Sequence, residues 1–411
     1  MPHNSSSISA RTSSLLLSCT AIFLALQLFP AALLAQTLIP LYQFGNGIGP
    51  NGGLISDAAG NLYGTTSGGG TDYGYVFELT NSAGVWSQNV LYNFQGTTQG
   101  DGRYPRAGLI FNPEGDLFGT TSSGGHGGYC DFRGCGTVFA MAPQPGGTWK
   151  ERVLHRFQSA GTPMNSLIMD AAGNLYGTGL AWNGVPGIVF ELSPGAKGIW
   201  KLTTLYTFEE TKGNQGTDPV APLIFDGAGN LYGTAENGGQ YKAGTAYRLT
   251  PGSGGWTFTA LYAFGNSAIH DGAQPTAGFV MDASGNLYGT TTQGGTNGYG
   301  TVFELSPTPK GRWKETILHE FSAPDGENPA TSLIFDSAGN LYGIAPLGGE
   351  FNCGTIFQLS PSAGSSPASW NFNAVYSFTN SGDGCTPNGP LLDFQGNLYG
   401  VSNTVAFELT P

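Results

Sequence analysis

One five-residue phrase, returning at a near-constant interval, constrains this chain more than any other feature. It reads Gly-Asn-Leu-Tyr-Gly from Gly60, Gly173, Gly229, Gly285, Gly339 and Gly396, and Gly-Asp-Leu-Phe-Gly from Gly115. The intervals are 55, 58, 56, 56, 54 and 57 residues. So regular a period is the mark of one supersecondary unit stacked several times, each copy burying its apolar face against the next. It overrides the two or three domains that a length of 411 residues would otherwise imply.

The fifth copy shows what the unit is. Phe279 to Asp282 reads as a short apolar strand, and Asp282 to Asn286 as a turn in which Gly285 takes positive φ. Leu287 to Thr292 is a second strand, Gln293 to Gly298 a Gly-rich loop, and Thr301 to Leu305 a third strand. After a turn containing Pro307, Pro309 and Gly311, Trp313 to Phe321 is a fourth, rich in the aromatic and branched residues that pleated surfaces prefer. Four consecutive antiparallel strands repeated radially make a propeller blade. Solenoids, the competing architecture, usually have shorter repeats. The last copy stops at its third strand, Ala406 to Leu409. Its missing fourth strand, of the form Leu-Tyr-x-Phe, stands at the other end as Leu41 to Phe44. The sequence therefore predicts an all-β, seven-bladed β-propeller over residues 36–411, with four-stranded antiparallel blades and an N-terminal strand closing the last one.

Residues 1–35 lie outside the repeat. Arg11, an apolar run from Leu15 to Leu34 and the small residue Ala35 read as a secretory signal peptide cut after Ala35. The competing reading is an uncleaved N-terminal anchor. The apolar run continues past Cys19, which argues against lipoprotein cleavage there. No membrane span is expected after cleavage. The formal net charge is −12, with charged residues only 10% of the chain. That balance repels phosphate backbones and anionic lipid, so nucleic-acid binding is excluded as an expectation.

Units such as Ala277 to Pro307, with their Asp-x-x-Gly-Asn-Leu-Tyr-Gly-Thr core, resemble the GloVer tandem repeat of secreted bacterial proteins. The core is also similar to other extracellular propeller repeats, including those of two-component sensor ectodomains. The resemblance covers nearly all of the chain after residue 35. It implies export and surface display, often with a separate C-terminal anchor; no such tail is read before Pro411. It brings no established reaction and no catalytic residues, so the catalytic residues are unknown.

Candidate sites have to be found among departures from the repeat. The turn acids Asp57, Asp170, Asp226, Asp282, Asp336 and Asp393 read as turn formers, because each turn offers too few oxygens for Ca²⁺. A second set, Asp101, Asp218, Asp271, Asp325 and Asp383, precedes the first strand and invites a polar-ligand or metal site near the axis. No His, Cys or carboxylate grouping has metal-ligand spacing, so neither metal nor cofactor is expected. Trp86, Trp149, Trp200, Trp256, Trp313 and Trp370 open the fourth strands and read as blade packing. The loops between strands two and three carry Tyr73, Phe132, Trp182, Tyr241, Tyr299 and Phe351. Rings among flexible glycines suit the apolar face of a sugar or a partner's apolar groups; the competing reading is that each ring covers its own blade. In an oxidising compartment the loop positions pair Cys353 with Cys385 and leave Cys130 with Cys135 as a local pair.

The expectation is a monomeric secreted or cell-surface binding or display module that recognises a glycan or cell-envelope component through those six aromatic loops. The alternatives are an extracellular polysaccharide lyase or hydrolase, and a purely structural or adhesive protein with a protein partner.

Overall fold

The computed structural model describes residues 36–410 apart from 46, 71, 97–99, 126–133, 159–160, 182–185, 210–212 and 363–368, and for 390 and 392–394 it describes the backbone only. Seven antiparallel four-stranded sheets form a ring, a seven-bladed β-propeller. Blade 1 is built from Pro50–Ser56, Leu62–Thr66, Tyr75–Ser82 and Val85–Asn93. Blade 5 comprises Val280–Met281, Leu287–Thr291, Thr301–Pro307 and Trp313–Glu320. The innermost strands of blades 2, 3, 4 and 6 begin at Ile110, Ile168, Ile224 and Ile334. Blade 7 takes Asn388–Phe394, Asn397–Val401 and Val405–Leu409 from the C-terminal end and Leu38–Gln43 from the N-terminal end. Leu38 lies opposite Leu409, and Gln43 opposite Val405. Closure by the N-terminal strand is therefore as the sequence predicts.

The repeated phrase is a turn followed by the second strand. Asp57 shows the turn chemistry. Its Oδ1 accepts from the N–H groups of Ala59 and Asn61, and its Oδ2 from Asn61 Nδ2 and Tyr63 Oη. Gly60 takes a φ of +85°, which costs a glycine nothing. At Asp57, Asp170, Asp226, Asp282 and Asp336 both carboxylate oxygens receive donors within the turn, so the turn-forming reading holds there over the Ca²⁺ one. The phrase's second glycine has a different reason. A Cβ on Gly64 would lie 2.6 Å from Phe77 Cζ, so the third-strand ring occupies the space a side chain would need. The equivalent glycine of every other blade faces a ring in the same way.

The Leu-Tyr-x-Phe ending of the outer strand also has a physical account. In blade 1, Val76 pairs with Tyr92 and Phe77 with Val90, so Leu91 is an extra residue, a β-bulge. The same shift recurs at Leu154, Leu205, Leu261, Leu318, Val375 and Leu41. The bulge turns this residue toward the core, and the Phe that follows is almost wholly buried in all seven blades.

Neighbouring blades meet through residues that recur with the repeat. Each Trp that opens an outer strand packs on the second-strand ring of the preceding blade: Trp149 on Tyr63, Trp256 on Tyr176, Trp313 on Tyr232 and Trp370 on Tyr288. Nearer the axis, Thr65, Thr178 and Thr234 donate to the carbonyls of Ala107, Ala221 and Ala277 on the next blade. A half-buried ring and a buried hydroxyl thus join blades that share no strand pairing.

Candidate functional site

One face of the ring carries the loops between second and third strands together with the connections between blades. At its centre the axial channel is narrow, about 140 Å³, and is lined by small residues such as Gly52, Ala107, Ser166, Pro222, Ala277 and Ser332. Backbone approaches backbone there: a Cβ on Gly52 would lie 2.5 Å from the Ala107 carbonyl carbon. Arg106 is the single charged residue of the lining.

The second acidic set does not line this channel. Asp101, Asp271 and Asp383 are buried, at 4%, 4% and 5% exposure, and are used by their own blade. Asp101 accepts from Tyr92 Oη and the Gln95 N–H, and Asp383 from Tyr376 Oη and the Thr379 N–H. Asp325 accepts from the Ser322 N–H and faces His319 Nε2 at 3.1 Å. These acids hold the chain as it leaves the outer strand. Asp218 is not their equivalent. It precedes Pro219 at a φ of +58°, where the other connections have Tyr104, Gln274, Asn328 and Thr386. Gln215 stands in the acid's place, its carbonyl accepting from Thr245 as that of Asp101 accepts from Thr137. The spacing is unchanged, with Gln215 seven residues after Phe208 as Asp101 is after Phe94 and Asp271 after Phe264, so glutamine replaces the acid and Asp218 is a separate aspartate three residues further on. Among the described residues no group of three His, Cys, Asp or Glu side chains could hold a metal ion.

The aromatic loop residues fall into two structural positions. Tyr73 and Tyr299 immediately precede the glycine that opens the third strand. Their carbonyls accept from the N–H groups of Tyr104 and Asn328, and their rings are half-buried against core clusters that join their own blade to the next. Tyr241 and Phe351 stand two residues earlier, before Lys242 and Asn352 at φ +61° and +57°. They are 42% and 50% exposed and are the two exposed aromatic rings among the described residues. Phe132 and Trp182 lie outside the described residues. None of the four described rings contacts another of the set; Tyr73 instead lies against Tyr104 and beneath the Arg103 guanidinium, 5.9 Å from its centroid.

Cys353 occupies the position of Tyr73, and it is bonded to Cys385 with a Cα–Cα distance of 4.7 Å. The predicted pairing of these two is present. Cys135 is buried, and its expected partner Cys130 lies outside the described residues.

A further arrangement is invisible in one repeat. The third residue of each outer strand meets the Tyr or His of the preceding blade's Leu-Tyr-x-Phe segment. At successive seams the pairings include Tyr42 with Gln88, Tyr206 with Phe258 and His319 with Phe372. Between blades 4 and 5 the residue is Glu315. Tyr262 Oη lies 2.9 Å from Glu315 Oε2 and 3.1 Å from Asp271 Oδ2. Burial, then the charge of Asp271, push the Glu315 carboxyl up to about 9. Burial also raises Asp271. Between blades 1 and 2 the same set recurs as Tyr92, Asp101 and Glu151, with Glu151 raised to about 7 by burial and by Asp101, against the pull of Arg156. The only hint in the sequence is that Glu151 and Glu315 each follow a Trp-Lys pair.

Glu315 and Tyr262 line a groove of about 590 Å³ on the outer rim. Its other walls are Ile269, the Thr308, Pro309, Lys310 and Arg312 turn, Trp313 and Lys314.

Fold and repeat together define a β-propeller of seven tandem blades. The chain belongs to the Gloeobacter/Verrucomicrobia repeat family, whose model matches residues 29–216 and 182–406. Among solved structures it is similar to the extracellular domain of a B. thetaiotaomicron protein described as a one-component system, at 11% identity and a TM-score of 0.58, covering 92% of this chain and 40% of that one. A second structure, described as the extracellular domain of a hybrid two-component system from the same organism, matches at 11% identity and a TM-score of 0.57, covering 91% of this chain and 40% of that one. At such identities the likeness shows the fold. The chain spans less than half the length of either. A search of curated proteins finds no match. Among the described residues no helix is long and apolar enough to cross a membrane.

Proposed function

We propose that this protein is a secreted or cell-surface binding module that recognises a glycan or cell-envelope component through the loops between second and third strands. Tyr241 and Phe351 carry the reading. Two rings at one equivalent position are left 42% and 50% exposed, in a chain whose other described rings are at least half-buried. A flat ring in solvent beside glycines offers the apolar face a pyranose stacks on. Phe351 also lies in the loop that the Cys353–Cys385 disulfide ties to the next connection, so its backbone is held in place before a ligand arrives. The signal-like residues 1–35 and the extracellular origin of both structural neighbours support export. Phe132 and Trp182 remain candidates of the same surface. Tyr73 and Tyr299 would act from behind it.

The test is a glycan panel probed with the wild-type protein and with Tyr241→Ala and Phe351→Ala. Each variant is expected to weaken binding by about tenfold, the worth of one stacked ring. Folding stability should change by no more than about 0.5 kcal/mol, as for exposed positions. Absence of binding to any glycan or envelope polymer, or binding indifferent to both rings, would reject the reading. The polysaccharide-cleaving alternative is carried less far. The acid pairs described at the seams are Asp101 with Glu151 and Asp271 with Glu315, and Asp101 and Asp271 are each 4% exposed.

A further inference from the structure

We propose that the rim groove between blades 4 and 5 is a second ligand site, selective for acidic saccharides, whose charge is set by one proton that Asp271 and Glu315 share. The shared proton follows from counting donors. Tyr262 Oη has one proton, yet it lies within hydrogen-bond distance of two carboxylates. Asp271 Oδ1 and Glu315 Oε1 are both buried, and neither has a donor among the described residues. Two buried carboxylates around a single phenol cannot both be ionised at that cost. A proton on the pair supplies the missing donor, as in other carboxyl pairs held close together.

The proton decides what the groove attracts. Lys310, Arg312 and Lys314 fall within five residues, three of the 15 basic residues of an acidic chain. All three line the groove, all are exposed, and none makes an ion pair with a described residue. The groups in contact with Glu315 are Tyr262 from blade 4 and Asp271 from the connection, with His270 beside Asp271 in the chain, while the three cations of blade 5 line the same groove. While the pair holds its proton, the lining does not spend a cation on Glu315, and the groove stays positive. The burial that raises Glu315 keeps this true at neutral pH. Trp313 and Ile269 add an apolar wall. An acidic saccharide matches both features, because each residue of it combines a charge with an apolar ring face. An acidic peptide has the charge without that face.

The test measures binding by titration calorimetry of three probes: an oligogalacturonate, a sulfated disaccharide, and poly-glutamate, with a neutral galactose oligomer as the blank. At pH 6 one or both saccharides should bind and the neutral oligomer should not; which of the two binds separates carboxylate from sulfate as the source of the charge. The combined substitution Lys310→Gln, Arg312→Gln and Lys314→Gln, all exposed, should weaken binding by about tenfold or more. Between pH 7 and 10 the wild-type affinity should fall by about tenfold as the pair loses its proton. In Glu315→Gln the fall across that range should be markedly smaller, leaving only the loss from lysine deprotonation near its upper end. No saccharide binding, indifference to the three cations, or an unchanged pH profile in Glu315→Gln each overturns the proposal. Equal or tighter binding of poly-glutamate overturns its saccharide part. Tyr241→Ala and Phe351→Ala should leave this binding intact, so its failure and that of the loop-face reading are separable.

Discussion

The seams between blades 1 and 2 and between blades 4 and 5 are built from the same three residue types at the same positions, yet they hold their protons differently. At the first, Tyr92 Oη lies 2.7 Å from Asp101 Oδ2, and Glu151 is raised only to about 7. At the second, Tyr262 bridges both carboxylates and Glu315 rises to about 9. Part of the difference lies in the neighbour. Arg156 draws Glu151 back toward ionisation; its equivalent in blade 5 is Glu320, which has no such effect. The hydrogen bond between Glu315 and Asp271, which has no counterpart at Glu151, adds to the same difference.

The largest expected effect comes from removing the acid that both seams share. Asp271→Ala strips an acceptor from Tyr262 Oη and from the N–H groups of Gly265 and Asn266, and Asp101→Ala does the same to Tyr92 Oη and the Gln95 N–H. Each is expected to cost about 2–4 kcal/mol, the sum of a few unmade buried hydrogen bonds. Urea denaturation at pH 7 measures it. A loss below about 1 kcal/mol at either site would mean the connection holds its shape without the carboxylate.

The second effect is a pH dependence of stability that differs between the seams. A carboxyl raised on folding binds its proton more tightly in the native chain, so its contribution is fully present below the ordinary value of 4.5 and is lost as the pH rises through the folded value. For Glu151 that loss is complete a little above pH 7; for Glu315 it continues to about pH 9. Melting temperatures should therefore fall from pH 5 to pH 9. Glu315→Gln should flatten the upper part of the curve, and Glu151→Gln the part below pH 7. Identical curves for the two variants would erase the distinction between the seams.

The smallest effect is the most discriminating. Tyr262→Phe removes a hydrogen bond that stabilises ionised Glu315, so the carboxyl should titrate still higher by carbon NMR. Tyr92→Phe removes a bond to Asp101 alone and should leave the Glu151 titration where it is. Either substitution should cost about 1 kcal/mol of stability. A Glu151 titration that moves as far as that of Glu315 would show that both phenols bridge.

Much of this architecture was legible in the repeat. The Asp-x-x-Gly-Asn turn is read from local chemistry, because every bond that Asp57 makes lies within six residues. The strands follow from their apolar residues, and closure follows from a Leu-Tyr-x-Phe segment present at one end and missing at the other. The Cys353–Cys385 pair was accessible because topology alone puts those two loops on one face. The aromatic loops were legible as a class but not as positions. Glycines vary the loop length, so Tyr73 and Tyr241 look alike in the sequence and differ in burial. Asp218 misled for a different reason: the acid's own place is taken by Gln215, and an aspartate happens to stand three residues beyond it.

What the sequence determined by itself is the unit and its count, which rest on interactions within about 56 residues of chain that recur seven times, and the closure, which joins Leu38 to Leu409 across the whole chain but shows as a strand missing at one end and present at the other. What the tertiary structure decided is the contact between units. Tyr262 and Glu315 are separated by 53 residues and belong to different blades, and they meet only across the seam between blades 4 and 5. A repeat specifies each blade's own hydrogen bonds locally, whereas the desolvation and charge that set a seam's proton affinity arise only when two blades are pressed together.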